Sequence, residues 1–311
     1  MGPSWLRRFA PWVVLAVACA TATPAYAPPA PRRSAAPALA PLPAPAQLRI
    51  DFIAVGQGDA ALVTSPTGKT VLIDGGPIES AAALTTFLRG RVSAPLDLAL
   101  LTHRHDDHFG GFTTVIRTIG IRQFIDAPIE HPGSAYTKLL EALAAKGIPV
   151  RNATRGRIID LGAGATVTLL SPPDPPIAGG HSKVNANSVI ARLDYRGLAV
   201  LFAADAEPET ERWLLLQDMP LQARVLKVAH HGARFSSTAK FLAAVRPALA
   251  VISAGDNNIY GHPTPQALGR LDQVGARVFR TDRDGTITIV TDGRRIDVSS
   301  ERGQHAVLSP P

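Results

Sequence analysis

Residues 102–111, Thr-His-Arg-His-Asp-Asp-His-Phe-Gly-Gly, constrain this chain more than any other stretch. Three histidines and an aspartate, His103, His105, Asp107 and His108, fall within six residues. The apolar run Leu98-Ala99-Leu100-Leu101 precedes them and a Gly-Gly pair follows. An apolar run ended by Gly reads as a buried strand delivering a loop. Imidazole nitrogens and carboxylate oxygens are the donors that zinc and similar divalent ions take. So many donors in so short a loop point to two divalent metal ions, zinc or manganese, and to metal-assisted hydrolysis. A solvated histidine-rich turn is the alternative; the strand before the loop and its partners downstream favour ligands.

The chain has 311 residues, 46% of them hydrophobic, which is enough to bury a sizeable core. Its formal net charge of +7 suits an anionic partner such as nucleic acid, although much basic excess is ordinary solvated surface. Aromatic residues are only 5% of the chain, so no run of base-stacking platforms is expected. No apolar stretch is long enough to cross a bilayer. No nucleotide cofactor is expected.

The N-terminus reads as a targeting segment, residues 1–27. Arg7 and Arg8 form a basic start, and residues 9–20 form a short apolar core. Ala25-Tyr26-Ala27 has the small-x-small form cut by signal peptidases. Leu15-Ala16-Val17-Ala18-Cys19 alternatively resembles a lipobox, with Cys19 as the site of a membrane lipid anchor. Both readings place the mature protein outside the cytoplasm, secreted, periplasmic or surface-anchored. Cys19 is the single cysteine, so no internal disulfide is possible. Residues 28–47 read as a Pro/Ala-rich tether.

A single domain is expected over 48–297, with a disordered tail over 298–311. Strands are expected at 48–55, 60–65, 70–73, 96–101 and 121–125, with helices at 81–89, 112–119 and 136–146. The second half continues with strands at 166–170, 188–195, 198–202, 223–228 and 249–252. Helices at 207–217, 238–245 and 265–273 and closing strands at 277–279 and 286–290 complete it. Two sheets with helices outside would bury these faces, an α/β (α+β) domain of the αββα sandwich type.

Two further places fit the metal reading. Asp205 ends an apolar strand and could bridge two cations; with Glu207 and Pro208 after it, a helix cap is the alternative. His230 and His231 end the next strand, before Gly232; a plain turn is the alternative there.

The pattern H-x-H-x-D-H at His103, His105, Asp107 and His108 is the signature of the metallo-β-lactamase superfamily. A closer resemblance runs through residues 52–60, Val71 to Gly76, Asn187-Ser188, Asp205-Ala206-Glu207, Leu226 to Gly232 and Asn258 to Pro263. It is to the β-lactamase-like C-terminal domain of the competence protein ComEC, and it covers roughly 48–290. The transmembrane part of that family has no counterpart here.

The resemblance implies an αββα fold and a two-metal hydrolase whose leading substrate is a phosphodiester of nucleic acid. By analogy His103 and His105 hold one metal, and Asp107 and His108 the other. Asp205 bridges them and His230 completes the second site, with His231 the alternative if the register differs by one. A hydroxide held between the metals would attack phosphorus. Asp107 would thus serve catalysis as well as ligation, and His262 would contact substrate or protonate a leaving group. As softer candidates, Asp59 lies in a Gly-rich loop that could approach the site, or is part of a tight turn. Asp74 could orient a ligand histidine, or is a turn residue. Lys227 could meet a phosphate, or is a solvated strand residue.

Two departures leave the ligands intact: Ala233 stands where the family often has Ser, and Ala204 where Gly often precedes the bridging Asp. A third-motif histidine is not evident between Asp107 and Asp205; Asn187 aligns there instead, so the first metal is expected to be held more weakly. Other function classes stay open: a lactone, thioester or β-lactam hydrolase with the same site, or a non-catalytic DNA-binding domain in DNA uptake.

Overall fold

A computed structural model describes residues 47–129 and 133–308. The segments expected to serve as targeting signal (1–27) and tether (28–47, all but Gln47), with Cys19, and His131 lie outside the described residues. Among the described residues sixteen strands form, in chain order: β1 (Leu48–Phe52), β2 (Ala61–Thr64), β3 (Thr70–Ile73), β4 (Leu98–Leu100), β5 (Phe124–Asp126), β6 (Val150–Asn152), β7 (Ile158–Gly162), β8 (Ala165–Leu169), β9 (Ala191–Tyr195), β10 (Leu198–Phe202), β11 (Val225–Lys227), β12 (Leu249–Ile252), β13 (Arg277–Arg280), β14 (Ile287–Thr291), β15 (Ile296–Ser300) and β16 (His305–Leu308).

They make two sheets. One has nine strands in the order β16-β15-β14-β1-β2-β3-β4-β5-β6, the other seven in the order β13-β12-β11-β10-β9-β8-β7. Each sheet contains a parallel run, β3 to β6 in the first and β10 to β13 in the second. Parallel neighbours need crossover connections, and helices supply them. Ala81–Arg89, Phe112–Thr118 and Ser134–Ala145 serve the first run; Pro208–Leu216, Ala239–Val245 and Pro265–Gln273 serve the second.

Burial follows from this wiring. Strands covered on both faces need apolar side chains throughout, and β3 (TVLI), β10 (LAVLF) and β12 (LAVI) are buried at every position. The inner faces pack against each other through Phe52, Val71, Leu100, Val200, Val225 and Val251. The outer face of the nine-stranded sheet takes Leu84, Leu88, Val115, Leu139 and Leu143 from its helices. The outer face of the seven-stranded sheet takes Leu214, Phe241, Leu242 and Leu271. The result is the αββα sandwich expected from the pattern of elements.

The C-terminal stretch departs from expectation. Residues 298–308 do not form a tail: β14, β15 and β16 pair antiparallel as a meander at the sheet edge. Val298 and Ala306 are buried there, while the polar residues between them face out. Alternating Val and Ala among Ser, Asp and His is too faint an apolar signal to mark a strand by itself. Edge strands β6 and β7, mostly exposed, were unexpected for the same reason.

Candidate metal centre

In sheets with parallel runs, functional groups collect beyond the carboxyl ends of the strands. Here β3 is followed by Asp74, β4 by the 102–111 loop, β10 by Asp205 and β11 by His230 and His231. The loops of both sheets therefore meet at one edge of the sandwich. The backbone ties them together: Gly75 donates to the His108 carbonyl at 2.6 Å, Gly111 to that of Gly76 at 3.0 Å, and Asp59 to that of Asp107 at 3.1 Å. Gly58 makes the last contact possible, because a methyl group on it would collide with the Asp107 carbonyl oxygen.

Two trios of donors result, His103 with His105 and Asp205, and Asp107 with His108 and His231; within each the donor atoms lie within 4.8 Å of one another. Asp205 faces both. Its Oδ2 is 3.7 Å from His103 Nε2, and its Oδ1 is 3.4 Å from His108 Nε2 and 3.7 Å from His231 Nε2. In the second trio Asp107 Oδ2 is 3.2 Å from His231 Nε2 and 3.8 Å from His108 Nε2. The helix Pro208–Leu216 has Glu207, not Asp205, at its capping position, which leaves the Asp205 carboxylate to the histidines.

The second trio takes the alternative of the two neighbouring histidines. His231, not His230, completes it. Both residues are left-handed, with φ of 50° and 54°. That conformation costs roughly 1–2 kcal/mol for a residue with a Cβ. It turns His231 inward, where Nδ1 lies 2.9 Å from the Ser253 carbonyl oxygen and donates to it. His230 stays at the rim, its Nε2 3.7 Å from Asp205 Oδ2 and its side chain 28% exposed. Ala204 is also left-handed, at φ 47°, a conformation that favours glycine.

The donors fit a divalent cation. His108 Nε2, His231 Nε2 and Asp205 Oδ1 are buried and make no hydrogen bond. Buried polar atoms normally have partners, and all three converge on the space between the trios. Charge is balanced in the same sense. Burial acts to raise Asp205, but His108, His231 and His230 outweigh it and hold the carboxyl well below its ordinary value. Burial likewise acts against the Asp107 charge, yet His108 and His231 bring it to about 2. His108 is held well above its ordinary value: Asp205, Asp107 and Asp74 outweigh the effect of burial. A proton and a cation therefore compete for its Nε2 lone pair.

The remaining candidates take distinct places. Asp74 Oδ1 accepts the Thr102 amide at 2.8 Å, and its Oδ2 accepts the Thr102 hydroxyl and His108 Nδ1, each at 2.8 Å. Asp59 is buried against Lys227, with Oδ1 3.4 Å from His231 Nδ1. Asp59, His108 and Asp205 form a further possible donor group. Lys227 does not reach outward for a phosphate; it is buried and committed to Asp59. Asn187 is not brought to either trio. Its amide donates to the carbonyls of Ile177 and Lys183 and accepts from the Ile177 amide, closing the 177–187 loop on itself. His262 stands beside the trios, its ring centroid 5.8 Å from that of His230 and 6.5 Å from that of His231. Burial, with His231 and His230 nearby, lowers it to about 4, so its ring is neutral at neutral pH.

The loop's anchor is not legible in the sequence. Arg104, between two donor histidines, points away from them. Its Nη2 is 2.8 Å from Asp126 Oδ2, and its guanidinium lies 4.4 Å over the Tyr136 ring. Tyr136 also donates to Asp126. The only hint in the sequence is an arginine inside a metal motif, with no sign of its partner.

The profile of the metallo-beta-lactamase superfamily matches residues 53–256. The chain belongs to that superfamily. Among relatives, ComE operon protein 3 of Bacillus subtilis is 28% identical over 76% of this chain and 32% of its own length. Competence protein ComA of Neisseria gonorrhoeae is 27% identical over 75% of this chain and 30% of its own. Recombination protein 2 of Haemophilus influenzae is 26% identical over 82% and 30%. This member of the metallo-β-lactamase superfamily thus spans about a third of the length of these relatives. Among solved structures, the metallo-β-lactamase fold protein YhfI of Bacillus subtilis superposes with a TM-score of 0.50 at 12% identity, covering 78% of this chain and 99% of that one. Igni18, a metallo hydrolase of Ignicoccus hospitalis, gives 0.50 at 18%, covering 77% and 98%. These likenesses establish the fold.

Proposed function

We propose that this chain is an exported, metal-dependent phosphodiesterase that hydrolyses nucleic acid. The observation that carries the reading is the pair of donor trios with Asp205 between them, one carboxylate oxygen toward His103 and the other toward His108. Such a pair suits two cations a few ångströms apart, the arrangement used for in-line displacement at phosphorus. The names of the relatives, competence and recombination proteins, favour DNA as the polymer. The basic N-terminal start and apolar core support export.

His103, His105 and Asp205 would hold one ion, and Asp107, His108 and His231 the other. When bound, the ions would activate water and neutralise charge building on the phosphate. The chain's own residues prepare the site. Asp74 fixes the His108 ring, the Ser253 carbonyl fixes that of His231, and the Asp59–Lys227 pair forms the floor beside both. His262, neutral at the rim, offers a ring nitrogen as a hydrogen-bonding contact for substrate.

Cleavage of labelled single- and double-stranded DNA by the full chain, with manganese or zinc and with an Asp107→Ala control, tests the reading. Metal-dependent cutting that the control lacks is expected. Absence of cutting with metal bound would overturn it and direct attention to lactone and thioester substrates.

A further inference from the structure

Aromatic rings are few in this chain and, where described, almost all are covered. Among the described residues, the exposed aromatic side chains are Phe235 and Tyr260, at 59% and 63%. Both sit on loops of the metal centre. Phe235 follows His231 by four residues, and Tyr260 precedes His262 by two. A single exposed ring is ordinary, but two at the mouth of one site, each stacked on a histidine, place aromatic faces where a ligand would enter.

Both rings are held flat against a second ring. Phe235 stacks on His181, with centroids 5.8 Å apart and planes 13° apart. Tyr260 stacks on His262 at 5.8 Å and 26°, and His262 lies over the donor His231 at 6.5 Å and 26°. From Tyr260 to the metal centre there is thus a ladder of three nearly parallel rings. The exposed Arg234 lies 5.5 Å over Phe235, bringing a cation to the same platform.

The loops are braced from beneath. Glu211 accepts the amides of Ser237 and Thr238, and Arg270 donates to the carbonyls of Arg234, Ser236 and Ser237. The Glu207 carboxylate accepts the amides of His181 and Ser182, fixing the other half of the Phe235 stack. Asn258 holds the 258–262 turn through the backbone of His262. Platforms with braced loops are pre-organised for a flat ligand.

We propose that Phe235 and Tyr260 are stacking platforms for unpaired nucleobases beside the metal centre, making this site selective for single-stranded over paired nucleic acid. The inference rests on the phosphodiesterase reading above. Bases in a duplex have their faces occupied by neighbours, whereas unpaired bases offer a free face to an aromatic ring.

The test compares hydrolysis of two single-stranded oligonucleotides by the full chain loaded with manganese: ten thymidines, and the same backbone with abasic residues in place of the bases. Base–aromatic stacking raises affinity by about tenfold or more per base. The thymidine strand is therefore expected to show a KM about tenfold below the abasic strand, at similar kcat. Phe235→Ala and Tyr260→Ala should each shrink that ratio, and Phe235→Trp should restore it. Equal KM for both strands, or a ratio that survives both alanine variants, would overturn the inference while leaving the phosphodiesterase reading intact. If neither strand is cut, although calorimetry shows manganese bound, the phosphodiesterase reading fails and this inference fails with it.

Discussion

Asp74 Oδ2 lies 2.8 Å from His108 Nδ1, and the same carboxylate accepts the backbone amide of Thr102. One side chain thereby fixes both a donor ring and the start of the loop that carries it. With Nδ1 engaged, only Nε2 of His108 is left for a cation. Loss of such an orienting carboxylate typically costs about 10–100-fold in metal affinity. Asp74→Ala is expected to weaken zinc binding by that order in calorimetric titration, with the circular dichroism spectrum kept. Unchanged affinity would show that packing alone orients His108.

Lys227 and Asp59 cross from the seven-stranded sheet to the loop after β1, both buried. A buried pair adds little over apolar packing, but breaking it strands a charge, at a cost of roughly 3–5 kcal/mol. Lys227→Met should destabilise the fold by about 3 kcal/mol in urea unfolding. The double variant Asp59→Asn/Lys227→Met should regain most of that loss. A double variant no more stable than the single one would mean that the lysine contributes through packing, not charge.

Burial pushes the Glu211 carboxyl up to about 7 from an ordinary value of 4.5, against the opposing pull of the Thr238 and Ser237 hydrogen bonds. Between these values the folded chain binds more protons than the unfolded chain, so stability falls as pH rises through the window. The span corresponds to about 3 kcal/mol. Relative to a Glu211→Gln variant, which cannot ionise, the parent is expected to lose roughly that amount between pH 4.5 and 7. Parallel stability curves for the two proteins would refute the assignment.

The sandwich was legible because β3, β10 and β12 are apolar throughout and their helices carry an apolar stripe, patterns set by burial on one or two faces. The edge strands β6, β7, β15 and β16 were not, since an edge strand with one wet face keeps few apolar residues. The 102–108 donors were legible for a similar reason: their chemistry and spacing are local. The choice between His230 and His231 was not local. It depends on two successive left-handed residues and on the Ser253 carbonyl, which is 22 positions away. Lys227 was read as facing outward because nothing near it in the chain shows Asp59, 168 positions away. The exposure of Phe235 and Tyr260 is not legible in the sequence, because composition counts rings without saying which remain uncovered.

Each donor trio takes two side chains from the nine-stranded half and one from the seven-stranded half, Asp205 or His231. Neither half alone completes either trio. A cation held by a completed trio would therefore bind both halves at once. Such a cation would act as a clasp across the sandwich, stabilising the closed arrangement over any state in which the halves have parted.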